Sequence, residues 1–125
     1  MPVPERRLQA IQAVQTMRGE MALLAEALHE ENAAAAGLVA ALDSDLSVTE
    51  IIAGAPIALT RIKLTERAQA FDLARKGARH AIVTLLIAED FTIAEIAHVF
   101  GVSRQLASRL AQEARASKGL TDDLA

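Results

Sequence analysis

The rhythm of apolar and polar positions changes along the chain, and each change predicts a different kind of helix. From Pro4 to about Leu42, Val14, Met17, Met21, Leu24, Leu28, Ala35, Leu38 and Leu42 recur at steps of three and four, with Glu31 as the one interruption. This is a heptad-like stripe over about four repeats. The residues around it are mainly Ala, Leu, Glu, Gln and Met, which sustain helix, and Pro4 is tolerated in a first helical turn. Such a helix, at about 1.5 Å per residue, is roughly 58 Å long, more than one small globule covers. Two arrangements follow. The helix breaks near Asn32 or Gly37 into an antiparallel pair, or it pairs through the stripe with the same segment of a second chain. The alanine run at 33–36 permits close helix approach in both.

Residues 43–64 predict a connection. Asp43, Ser44 and Asp45 read as a helix end and a turn, and Ser47 and Glu50 have the spacing of a capping box, so a short helix should run to Ala53. Gly54 and Pro56 then break it. Ile57, Leu59, Ile62 and Leu64 read either as a short extended piece or as a loop tucked into the core.

From Thr65 the helical period returns. Ala68, Phe71, Ala74, Ala78, Ile82, Leu85 and Leu86 share one face, with Gly77 as a point where the stretch divides into two helices. Glu89 and Asp90 make a turn into residues 92–110, the most informative stretch of the chain. Thr92 and Glu95 have capping-box spacing, and Ile93, Ile96, Ala97 and Phe100 fall on one helical face. Gly101 stops this helix because glycine takes positive φ without steric penalty. Val102 plugs the corner and Ser103 caps the next helix. Ala107 and Leu110 turn that helix back onto the first, leaving Arg104, Gln105, Ser108, Arg109 and Gln112 outside. Beyond Gln112 the helix is expected to loosen over 117–120, and Asp122 and Asp123 to form a frayed acidic tail.

The predicted fold class is therefore all-α: a long N-terminal helix or helical hairpin and a C-terminal three-helix core. The division reads as an arm over 1–46, a connection over 47–64 and a second domain over 65–125.

Composition narrows the function classes. The chain has 125 residues, 52% hydrophobic, with no Trp, Tyr or Cys. A core of Leu, Ile, Val and Ala is implied, and disulfide frameworks and thiolate metal sites are excluded. No stretch reads as a signal peptide or membrane span, which predicts a cytoplasmic protein. The net charge of −3 is unevenly spread, near −5 over residues 1–60 and +4 over 61–120. Positive charge thus gathers where the two short helices lie, and phosphate contacts need local rather than overall charge. His29, His80 and His98 fall on different helices without ligand spacing, and no phosphate loop or nucleophile–base arrangement is present. Neither an enzyme nor a cofactor is expected.

The run Thr92–Leu110, with Ala97, Gly101, Val102 and Leu110 at the matching offsets, resembles the helix-turn-helix family of bacterial DNA-binding proteins. It is most similar to the Gly-Val-Ser-Arg form of resolvase-type and sigma-region-4-type modules. The resemblance covers about a fifth of the chain and departs at Ala107, where the family usually has Val or Ile. It implies a sequence-specific, nucleoid-associated transcription regulator, with the helix 104–113 in a DNA major groove. Arg104 and Arg109 suit guanine, Arg104 alternatively phosphate, and Gln105 suits adenine. Thr92, Ser103, Ser108 and Gln112 are further contacts. Arg75, Lys76, Arg79 and Lys118 are candidates for backbone phosphate. Symmetric half-sites favour a homodimer through the stripe Val14 to Leu42. The alternative is a protein-interaction module, with residues 4–42 binding a sigma factor or a toxin and the two short helices serving only as packing. A plasmid or phage partition or repressor protein would share the DNA-binding mechanism.

Overall fold

A computed structural model describes the backbone of residues 3–54 and 57–124, and the side chains of residues 5–54 and 62–116. The protein is all-helical, with no strand among the described residues: α1 Val3–Leu42, α2 Val48–Gly54, α3 Ile57–Ala88, α4 Ile93–Phe100 and α5 Arg104–Leu124. No described helix is long and apolar enough to cross a membrane.

Three points are decided by the structure, two of them as corrections. First, of the two arrangements open for the N-terminal segment, α1 takes the unbroken one and runs through Asn32 and Gly37. Second, the stretch at Ile57–Leu64 is neither extended nor loop. It is the first quarter of α3, which also runs through Gly77 undivided. A single glycine weakens a helix by about 1 kcal/mol relative to Ala, too little to stop one that continues on both sides of it. Third, α5 does not loosen at 117–120 but continues to Leu124. The side chains of Ile57, Leu59, Asp122 and Asp123 lie outside the described residues.

The chain divides into two compact units, one of residues 1–17 and 74–125, the other of residues 18–73. In the first, the end of α3, α4 and α5 form a three-helix core. One cluster joins Val83, Leu110 and Ala114, with Ile87, Phe100 and Leu106 against it. A second joins Ile96, Ala97 and Ala107, with Leu86, Ile93 and Val102 around it. Ile87 and Phe100 pack against both, so the clusters form one continuous core. The start of α1 belongs to this unit: Ala10 is buried, and Arg7 pairs with Glu89 at 3.4 Å.

In the second unit, α1 turns Leu24, Ala27, Ala34, Leu38 and Ala41 inward to varying degrees, of which Ala27 is buried. Lys63 of α3 pairs with Glu30 of α1 at 2.8 Å, both side chains 45% exposed. An exposed pair of this kind contributes at most about 1 kcal/mol. Glu20 and Glu31 are half-buried on α1, each with one enclosed carboxylate oxygen that has no hydrogen-bond partner. In α2, the N–H of Glu50 donates to the Ser47 hydroxyl at 3.2 Å, which caps the short helix where the spacing had placed its start.

The inward face of α1 is turned by about one residue from the stripe read in the sequence. Val14, Met17, Leu24 and Leu38 are half-buried, whereas Met21, Leu28, Ala35 and Leu42 are exposed. Ala27, Ala34 and Ala41 take the inner positions instead. Small residues let helix backbones approach closely, and hydrophobicity alone does not reveal which of two adjacent columns does so.

Candidate nucleic-acid interface

α4 and the start of α5 are fixed by their capping residues. At the start of α4, the Thr92 hydroxyl accepts the Glu95 N–H at 3.2 Å, and the Glu95 carboxylate accepts the Thr92 N–H at 3.0 Å. This reciprocal capping box satisfies two amides the helix cannot bond internally. The hydrogen bond from the Thr92 backbone, and after it the one involving the Thr92 side chain, hold the Glu95 carboxyl below the usual glutamate range. A lowered folded-state value means a contribution present at neutral pH that disappears as pH falls through that value. Thermal melts of the native protein and of Glu95→Gln, which keeps the acceptor oxygen, should therefore differ at neutral pH and converge as the medium is acidified below about pH 4. A difference that grows on acidification would contradict this.

At the end of α4, Gly101 has φ 64° and ψ 37°. Its N–H donates to the His98 carbonyl at 3.2 Å and the Val102 N–H to the Ala97 carbonyl at 3.0 Å. That pair of bonds is a Schellman ending, and Val102 adds its hydrophobic contact to the cluster containing Ala97. The same ending closes α3: Asp90 has φ 62°, its N–H reaches Ile87 and that of Phe91 reaches Leu86. Asp tolerates this conformation better than most side chains. Nothing lies within 4 Å of a Cβ built on Gly101 or on Gly77. Gly101→Ala should thus lower stability by about 1–2 kcal/mol through backbone strain alone. The same change at Gly77 should raise it by roughly 0.5–1 kcal/mol. Urea titrations of the two variants check both signs.

Ser103 opens α5, its hydroxyl accepting the Leu106 N–H at 3.1 Å. From there the helix has two unlike sides. Ala107, Leu110, Ala111 and Ala114 are buried, while Arg104, Gln105, Arg109 and Gln112 are exposed. Ser108 is half-buried at the edge between them. Ala107 is completely enclosed, so the smaller residue at this position is absorbed by the packing of α5 on Ile96 and Ala97.

The other candidates are placed less uniformly. Thr92 and Ser103 are exposed, with their oxygens engaged as caps. Arg75 and Lys76 are exposed and Arg79 is half-buried, all three within the continuous α3 that runs through Gly77. The Lys118 side chain lies outside the described residues. His98 is exposed on α4. Arg115, not singled out in the sequence, is exposed one turn beyond Gln112 and extends the polar side of α5. The i+3 step from Gln112 would have found it. Among the described residues no group of His, Cys, Asp and Glu could hold a metal ion.

The arrangement presents guanidinium and amide groups from the outer side of α5, a helix seated by its buried Ala107, Leu110, Ala111 and Ala114. Comparison with protein-family models, curated proteins and solved structures finds no match to this chain.

Proposed function

We propose that this protein is a sequence-specific DNA-binding transcription regulator, acting as a homodimer that lays α5, from Arg104 to about Glu113, into the major groove. The observation that carries this reading is the two-sidedness of α5. Arg104, Gln105, Arg109 and Gln112 face solvent while Ala107, Leu110 and Ala114 anchor the helix on α3 and α4 and Ala111 is buried. Guanidinium forks match the O6/N7 edge of guanine and carboxamides the N6/N7 edge of adenine. The first turn of α5 has no acidic residue to repel phosphate. In this reading Thr92, Ser103 and Ser108 set the helix on the backbone, and Arg75, Lys76, Arg79 and Lys118 add flanking phosphate contacts. It involves no catalytic step and no cofactor, and it places the protein at the nucleoid.

The test is selection of bound fragments from random duplex DNA, followed by titration at several salt concentrations. A selected inverted repeat is expected, with log affinity falling linearly with log salt as counterions are released. Failure to bind any duplex at low salt would overturn the reading.

A second reading has an observation of its own. Residues 1–60 are acidic overall, and α1 leaves Leu28, Val39 and Leu42 at least half exposed. A protein-interaction module for a sigma factor or toxin would use that side, with α4 and α5 as packing. Such a module ignores DNA at low salt.

A further inference from the structure

The described side chains of the unit of residues 18–73 bury little apolar surface and expose much. Among its described hydrophobic residues only Ala27 and Ile51 are buried. Met21, Leu28, Val39, Leu42, Leu46, Val48, Ile52, Ile62 and Leu73 are all between 45% and 74% exposed. Scattered apolar residues on a surface need no explanation, but a unit that buries so little is short of the core that compact domains require.

The exposure on α1 is ordered. Met21, Leu28, Ala35 and Leu42 are seven residues apart, and Arg18, Ala25, Asn32 and Val39 form a second column at the same spacing. Together they make steps of three and four, a complete heptad seam directly beside the one that faces inward, and every member from Arg18 to Leu42 is exposed. α1 is thus a helix with two adjacent seams, one turned inward and one exposed. Between Met21 and Leu42 the outer seam contains no charge, and its one polar member is Asn32.

A regular seam is complementary to a copy of itself, and the charges at its ends choose the direction. Arg18 stands at one end, Asp43 and Asp45 at the other. Parallel pairing would set the two aspartates of each copy against those of the other. Antiparallel pairing sets Arg18 of each copy beside Asp43 of the other, twice by symmetry.

We propose that a second copy of this chain docks antiparallel on the outer seam of α1, with Met21 of one copy level with Val39 of the other and Leu28 level with Asn32. The dimer of the regulator reading is thereby given a face, and the pairing does not depend on DNA contact.

The test uses the full chain without DNA. Light scattering is expected to give twice the 13.3 kDa chain mass at micromolar concentration. Leu28→Glu and Val39→Glu are each expected to return the single-chain mass with the helical circular dichroism retained. A native single-chain mass would overturn the proposal, as would a dimer that survives both substitutions. Direction is read by disulfides, in a chain that has no cysteine of its own. Mixed Met21→Cys and Val39→Cys chains should crosslink to one another. Met21→Cys alone should not, since its two copies would stand about 27 Å apart, eighteen residues at about 1.5 Å each. Efficient self-crosslinking of Met21→Cys would overturn the antiparallel pairing. Because mass and crosslinks are read without duplex present, failure here leaves DNA binding untouched, and failure to bind DNA leaves the dimer standing.

Discussion

Replacing Ile96 with alanine is expected to destabilise the three-helix core by about 2–5 kcal/mol, a large part of the stability of a small domain. Ile96 is completely buried and is, with Val83, one of the two largest side chains so enclosed. Its cluster partners Ala97 and Ala107 are already minimal, and the larger neighbours Leu86, Ile87, Ile93, Phe100 and Val102 can relax into the space only in part, so a cavity penalty within this range should appear. In urea titrations followed by circular dichroism the midpoint should fall while the slope is unchanged. Val99→Ala is the control: it lies on the same helix, is 52% exposed, and should shift stability by no more than about 0.5 kcal/mol. Equal effects of the two variants would mean that α4 does not turn Ile96 inward. The consequence reaches function, because α5 packs on this cluster through Ala107.

The second large effect concerns recognition. Under the proposed function, the double variant Arg104→Ala, Arg109→Ala should lose about 2–6 kcal/mol of affinity for a selected site, the sum of two bidentate contacts. The single variants separate the roles. Arg109→Ala should lose about 1–3 kcal/mol with relaxed preference at one base pair. If Arg104 holds phosphate instead of guanine, its replacement weakens all duplexes alike and reduces the salt slope by about 1. Both side chains are exposed, so neither change should disturb the melt of the free protein. Mobility-shift titrations against matched and single-mismatch duplexes measure this. Unchanged affinity in the double variant would remove the α5 surface from any account of DNA binding.

The local order of this protein was legible because it depends on near neighbours. The capping box at Thr92 and Glu95, the stop at Gly101, the cap at Ser103 and the inward turn of Ala107 and Leu110 each rest on residues within one or two turns. Their offsets alone state the geometry. The same holds for Ser47 before α2 and for the turn at Glu89 and Asp90, although the positive φ at Asp90 has no glycine to announce it. The all-helical class and the polar outer side of α5 followed from the same short-range patterns.

Only the tertiary structure decided what depends on partners distant in the chain. It carried α3 through the ambiguous stretch at Ile57–Leu64 and past Gly77, and α1 past Gly37, because a helix already formed on both sides is not stopped by one or two weak positions. It also chose between two neighbouring columns on α1, turning Ala27 and Ala34 inward and leaving Leu28 and Val39 outside. Sequence periodicity gives the spacing of a seam but not its angle about the helix axis. That angle is set by how closely the facing backbone can approach, a property of two surfaces rather than of one.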